Sequence, residues 1–348
     1  MDTRLDALRL WVAQRHRLTP DTLDLDVIAD DASFRRYFRL TLPDGHTRIL
    51  MDAPPEREDC RAFIEIASHW HQAGLPVPRI DEADIEAGFI ELQDLGDVML
   101  RSRLQELMRH HAPTTSGVPN EVMTRMQQAI ELAVEVAAQP ANRLPAYDAD
   151  WLGMELDLFP QWCLHWLSLE APDEWPALRD TLIRAMTDQP QVTVHRDFHP
   201  QNLMCHQDRL WIIDFQGAVY GPLTYDPASL LRDRNLAWPQ TAQQHWIEAW
   251  HQRARRQGVI EPMPAGAVHE LVDLSATQRS LKVLGLFCRL AHRDGKPRYL
   301  RLLPLFANHV MEGLGHQRFT AFRHWFAHTF MPRLDARLAE PAIAESTS

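Results

Sequence analysis

The stretch Val194-His195-Arg196-Asp197-Phe198-His199-Pro200-Gln201-Asn202 is followed twelve residues later by Asp214-Phe215-Gln216-Gly217. No other part of the chain limits its possible folds as tightly. An aspartate, an asparagine five residues on and a second aspartate on the next hairpin are the oxygen donors that phosphoryl transfer gathers around one nucleotide. Val192 to Val194 forms a short β-like lead-in, and Leu210-Trp211-Ile212-Ile213 reads as a strand that delivers Asp214. An H-x-D-x-H string alone could be a polar or metal-binding loop. That reading predicts neither Asn202 nor the strand before Asp214. His195 reads as a brace of the loop through backbone hydrogen bonds, and His199 carries no assigned role.

The chain has 348 residues, 45% hydrophobic and 24% charged, enough for two lobes with a substantial core. A net charge of -11 argues against a nucleic-acid surface. No apolar run reaches transmembrane length, and the first residues are acidic where a signal peptide is basic, so the expected location is cytoplasmic. Four widely spaced cysteines lack any C-x-x-C pattern and read as reduced thiols. Neither a membrane nor an obligate protein partner is indicated; the expected partner is a small molecule. Lysine occurs only at Lys282 and Lys296, so cationic chemistry elsewhere falls to arginine.

Periodicity places an amphipathic helix over 1–18, with Leu5, Leu8, Val12 and Trp11 on one face, then strands at 23–28, 34–42 and 47–51. Pro43-Asp44-Gly45-His46 joins the last two as a hairpin. A helix over 58–73 stops at Gly74, and Phe89 to Leu92 reads as another strand. Helical periodicity dominates afterwards, clearest at 121–137 and 270–291, with a loop at 111–120. The expectation is an α+β, bilobal fold of the protein-kinase type: a β-rich nucleotide-binding lobe with one main helix (1–92), a crossing (93–97), a larger mainly helical lobe (98–337) and a tail (338–348).

The loop matches H-R-D-x-x-x-x-N position for position. The chain resembles the aminoglycoside phosphotransferase family, whose loop reads H-G-D-x-H-x-x-N followed by I-D-F/W. Here it reads His195-Arg196-Asp197-Phe198-His199-Pro200-Gln201-Asn202 and Ile213-Asp214-Phe215. The likeness covers about residues 20 to 310 and is tightest over 192–233. More narrowly, Asp31-Ala32-Ser33-Phe34-Arg35-Arg36-Tyr37-Phe38-Arg39, Met51-Asp52-Ala53-Pro54-Pro55 and Asp214-Phe215-Gln216-Gly217-Ala218 resemble bacterial anomeric kinases. Those enzymes phosphorylate N-acetylmuramate and N-acetylglucosamine at C1 in peptidoglycan recycling. The resemblance implies ATP as co-substrate and Mg2+ held by Asn202 and Asp214. Asp197 would accept the acceptor's proton, and adenine would meet the backbone at Glu91, Leu92 and Gln93.

After Asp214 the chain reaches Asp226-Pro227-Ala228-Ser229-Leu230 at once, leaving no room for the long activation segment that docks a polypeptide. A small acceptor is expected: an amino sugar first, with an aminoglycoside, choline or homoserine as alternatives, and a non-catalytic nucleotide-binding regulator as the rival from another class. Asp226 reads as a helix N-cap that braces the catalytic loop. No G-x-G-x-x-G precedes the third strand, so Ser33 and Phe34 mark the candidate phosphate loop. Met51 stands where a third-strand lysine is expected. Arg35 or Arg36 is expected to replace that cation, oriented by Glu65 or alternatively Glu58. Strand alternation allows only one of the two arginines inward. For the acceptor, Trp151 and Glu155 are the candidates from a stretch that reads equally as an amphipathic core helix. Arg289, Arg232 and Arg234 are unranked candidates for a lactyl carboxylate.

Overall fold

The computed structural model describes residues 2–30, 34–110, 114–115, 117–234, 236–315 and 317–340, so Ser33 and the end of the tail lie outside the described residues. The chain packs as two compact units. One comprises the residues up to Ser102 together with Gln201–Gly217; the other comprises Arg103–Pro200 and the residues from Ala218 onward.

The first unit is built on a five-stranded antiparallel sheet in the order β1-β2-β3-β5-β4. The strands are β1 (Asp24–Asp30), β2 (Arg36–Thr41), β3 (Thr47–Asp52), β4 (Ile80–Asp84) and β5 (Phe89–Gln93). β4 escapes a sequence reading because Ile80-Asp81-Glu82-Ala83-Asp84 is mostly acidic. It is an edge strand, and its carboxylates are paired: Asp81 lies 2.9 Å from Arg48, and Glu82 lies 2.6 Å from Arg15. Helix α1 (Thr3–His16), capped by Asp2 accepting from the Leu5 amide, packs on one sheet face. Leu8 and Val12 meet Phe38, Leu40, Leu50 and Phe89 there. Two buried carboxylates on this face are neutralised by the same helix. Asp52 accepts from Arg4 Nε at 2.9 Å and Arg36 Nε at 3.0 Å, and Glu91 lies 2.8 Å from Arg15 Nε. Carboxylates buried at 0% and 1% exposure persist only when paired in this way. Helix α2 (Arg61–Gln72) follows β3, and α3 (Leu100–His110) begins where the unit ends.

The hairpin β7 (Leu203–His206) and β8 (Arg209–Ile212) completes the unit. Gln207 and Asp208 both take left-handed backbone (φ 48° and 58°), which makes the tight two-residue turn favoured by strand twist. Leu203 is thereby paired with Ile212. The spacing from Asn202 to Asp214 is four residues, a two-residue turn, four residues and Ile213, so the two donors emerge side by side at the open end.

The second unit is mainly helical: α4 (Asn120–Ala137), α5 (Ala149–Leu158), α6 (His165–Leu167), α7 (Trp175–Thr187), α8 (Tyr225–Leu231) and α9 (Gln240–Arg256) precede the long α10 (Ala265–His292). Then come α11 (Leu303–Gly313), α12 (Thr320–Trp325) and α13 (Met331–Ala339). Strands β6 (Gln191–Val194) and β9 (Val219–Pro222) pair antiparallel. A π-helical segment, Phe159–Leu164, joins α5 to α6. Phe159, Leu284, Phe306, Phe326 and Phe330 meet in a fully apolar core built around α10. The N-cap of α8 is Thr224, so Asp226 sits in the first turn and is not the cap expected from sequence.

Gly285 sets how closely α10 approaches α5. A Cβ at this position would lie 2.3 Å from Leu158 O and 2.5 Å from Phe159 N, which no rotamer relieves because both are backbone atoms. Gly285→Ala is expected to cost about 1–3 kcal/mol of stability through overpacking. The urea midpoint measures this, and a variant as stable as the parent would show that α10 can yield.

Candidate active site

The catalytic loop lies in the second unit, after β6. Asp226 is 4% exposed and accepts from the backbone N–H of His195 at 2.7 Å and of Arg196 at 2.9 Å. His195, 1% exposed, accepts the Asp197 N–H on Nδ1 at 3.3 Å, the bracing role read from sequence. These bonds leave the Asp197 carboxylate directed outward, with its side chain 57% exposed. Its partial withdrawal from water raises the pKa, but the charges of Lys282 and Arg279, with smaller contributions from His199 and Arg196, outweigh that and bring it down to about 2. Asp197 is therefore an ionised hydrogen-bond acceptor and a weak base.

Arg196 takes left-handed backbone (φ 76°), a conformation in which a Cβ costs about 1–2 kcal/mol and where the family pattern has glycine. Its side chain is held from two directions. The guanidinium lies 2.9 Å from Glu155 and over the Trp151 ring at 4.7 Å. Glu155 also pairs with Lys282 at 3.0 Å and accepts from the Tyr147 hydroxyl, while Lys282 donates to Tyr225 at 3.3 Å. Burial pushes the Glu155 pKa up, but Lys282 and Arg196 more than offset it and hold the carboxyl below its usual range. The result is a buried lattice that fixes the backbone immediately before Asp197.

Asn202 and Asp214, the candidate metal ligands, lie in the first unit. Asn202 Nδ2 donates to Asp214 at 3.3 Å, and Ile213 N donates to Asn202 O at 3.1 Å. Asp214 is itself left-handed (φ 62°) and accepts from Gln216 at 2.6 Å. Phe215 is buried and stacks on Phe63 of α2 at 4.9 Å, and the Arg35 guanidinium sits over the other end of that pair, 5.9 Å from Phe63.

Several residues expected at the site are placed differently. Arg36 points to the α1 face, where Asp52 and Asp2 hold it. Arg35, on the α2 side and 6% exposed, pairs with Glu58 at 3.1 Å; Glu65 is exposed and does not take the pairing expected of it. Phe34 is 55% exposed beneath Arg57, and Ser33 lies outside the described residues. β5 is flanked by both β3 and β4, so the backbone of Glu91 and Leu92 belongs to the ladder, and the Gln93 N–H goes to Arg79 O at 2.9 Å. The backbone of Glu91 and Leu92 and the N–H of Gln93, expected to meet adenine, are thus engaged within this unit. Glu155 has its oxygens occupied internally, and Trp151 backs Arg196. Arg289 lies ten residues beyond Arg279 on α10, roughly 15 Å along the axis, so it is not brought to the catalytic loop. Arg232 is committed to Asp273 at 3.4 Å and Glu312 at 3.3 Å.

The phosphotransferase enzyme family model matches residues 24–266. The chain belongs to that family. The N-acetylmuramate/N-acetylglucosamine kinase of Pseudomonas putida is 36% identical over 90% of this chain and 93% of its own. The kinase of the same name from Pseudomonas aeruginosa is 37% identical over 86% of each chain. Among solved structures, a choline/ethanolamine kinase family protein from Mesorhizobium loti superposes with a TM-score of 0.61 at 15% identity, covering 93% of this chain and 99% of its own. At that identity it shows the protein-kinase-like fold alone.

In this phosphotransferase, sequence reasoning missed Lys282 and Arg279. Lys282 was read only as too far along the chain to replace the third-strand lysine, and its place on a late helix gave no sign of proximity to Asp197. The only signal was its rarity, one of two lysines.

The site also carries an acid sensitivity. Burial lowers the pKa of both His199 and His309 to about 3, and burial raises Asp226 to about 6. Between pH 6 and 5 the unfolded chain binds a proton at each histidine that the folded chain refuses, so each loses about 1.4 kcal/mol per pH unit as pH falls. Asp226 acts in the opposite sense, since the folded carboxyl protonates first. Among these three groups, two losses against one gain leave a net fall of roughly 1.4 kcal/mol per pH unit, and His251 and His292, whose pKa burial also lowers, act in the same sense. Urea midpoints at pH 6 and 5 are expected to show this fall, and His309→Leu is expected to flatten it. An unchanged slope in the variant would remove His309 as a source.

Proposed function

We propose that the protein transfers the γ-phosphoryl group of ATP to the anomeric C1 hydroxyl of an N-acetylated amino sugar, N-acetylmuramate or N-acetylglucosamine, in peptidoglycan recycling in the cytoplasm. The observation that carries the reading is an exposed, ionised Asp197 on a loop locked by Asp226 and by the Glu155 lattice. The names of the two Pseudomonas relatives, matched over most of both chains, support the acceptor.

Asp197 accepts a hydrogen bond from the C1 hydroxyl and orients its oxygen for in-line attack. The sugar O–P bond forms as the bond to the β-phosphate oxygen breaks, releasing ADP. With a pKa of about 2, Asp197 takes the proton late, once bonding to phosphorus has acidified the hydroxyl. Asn202 and Asp214 offer hard oxygen donors side by side, a set that suits Mg2+, which takes one or two protein ligands and completes its shell with phosphates and water. Bound there, Mg2+ would neutralise phosphate charge. No helix among the described residues is long and apolar enough to cross a membrane.

Arg35 supplies the phosphate cation in place of the missing lysine. Arg35→Ala is expected to raise the Michaelis constant for ATP roughly 10- to 100-fold, the worth of a charge-assisted hydrogen bond. Arg36→Ala is expected to lower stability through Asp52 with far less effect on that constant. The reverse ranking would transfer the role.

Asp197→Asn is expected to cut turnover about 10²–10⁴-fold while ATP binding persists. ADP release with N-acetylmuramate, N-acetylglucosamine, choline, homoserine and an aminoglycoside panel identifies the acceptor. Activity confined to a non-sugar would replace the amino-sugar reading, and ATP binding without turnover of any acceptor would indicate a regulator.

A further inference from the structure

Three cations act on Asp197, and two of them are already engaged. Arg196 and Lys282 share Glu155 at 2.9 Å and 3.0 Å. Arg279 lies three residues before Lys282 on α10, so the same helix face carries both. It is 8% exposed, and among the described residues its ion pair is with Asp197 alone, from Nη2 to Oδ1 at 4.0 Å. That distance is too long for a hydrogen bond. A guanidinium so far withdrawn from water is costly unless an anion hydrogen-bonds to it. Asp197 is not that anion, since its oxygens are needed for the acceptor hydroxyl.

We infer that Arg279 binds the carboxylate of an acidic acceptor and is the residue that favours N-acetylmuramate over N-acetylglucosamine. The inference rests on the amino-sugar reading above. The two sugars differ by a lactyl acid at O3. With the C1 hydroxyl at Asp197, that acid lies across the same ring, within the neighbourhood of the guanidinium. Only one edge of Arg279 faces Asp197, and the planar fork leaves further N–H groups for a carboxylate. The other candidates are less suited. Arg232 already has two carboxylates beside it, Asp273 at 3.4 Å and Glu312 at 3.3 Å, although its Nε and Nη1 make no hydrogen bond, and Arg289 is displaced along α10. Arg234 remains as the comparator, because its charge reaches His199.

The test is steady-state kinetics of the full chain with both sugars, for the parent, Arg279→Gln, Arg279→Lys and Arg234→Gln. Arg279→Gln is expected to lower kcat/KM for N-acetylmuramate about 10- to 100-fold more than for N-acetylglucosamine, mainly through KM. Arg279→Lys, which keeps the charge but not the fork, is expected to restore part of the difference, and it serves as the test variant if Arg279→Gln does not fold. Arg234→Gln is expected to leave the ratio between the sugars as in the parent. An equal loss on both sugars would overturn the inference and make Arg279 a positioning residue for Asp197. A selective loss in Arg234→Gln with none in Arg279→Gln would move the carboxylate site to Arg234. A parent that turns over neither sugar would instead overturn the amino-sugar reading, and the inference with it.

Discussion

The catalytic loop depends on two buried carboxylates, Asp226 under its backbone and Glu155 under its arginine. Glu155 holds Arg196 and Lys282 together and takes the Tyr147 hydroxyl, so its charge is compensated although it is 7% exposed. Removing one partner from such a buried set typically costs about 3–5 kcal/mol, which is why the arrangement behaves as a unit. It also explains an arginine where the family pattern has glycine. The left-handed backbone at Arg196 is unfavourable for any side chain, and ion pairing with Glu155 and the stacking on Trp151 compensate for it. What glycine supplies by freedom, this chain supplies by a clamp.

The arginine-rich composition is organised by sheet face. On the α1 face, Arg4, Arg36, Arg15 and Arg48 surround Asp52 and Glu91, which turns two buried charges into part of the packing. On the α2 side, Arg35 pairs with Glu58 next to the Phe63–Phe215 stack that anchors the turn after Asp214. Adjacent residues on one strand entrance thus take opposite duties. Alternation predicted that only one would face inward; which one was decided by the partners α1 and α2 present.

The motif pair was legible because its geometry is local. Asn202 and Asp214 are joined by a hairpin whose register is fixed by its own tight turn, so spacing in sequence becomes proximity in space. The strands and main helices were legible for the same reason, through period and punctuation. β4 was not, because its acidic side chains hide the alternation and find their cations only on other elements. The partners of the other candidates were not legible: Glu155 is taken up by Arg196 and Lys282, and of the two carboxylates considered for the arginine, Glu65 and Glu58, it is Glu58 that pairs with Arg35.

The sequence by itself determined the family and the α+β class, and it brought Asp197, Asn202 and Asp214 forward as candidate oxygen donors, since each depends on residues close together in the chain and on the short run after Asp214. Only the tertiary structure decided which charges surround Asp197. Arg279 and Lys282 reach the catalytic loop because α10 packs tightly on α5 at Gly285, a contact between segments more than a hundred residues apart. Charge pairing in a packed interior is a long-range fact, and no local pattern encodes which of 36 cations will meet a given carboxylate.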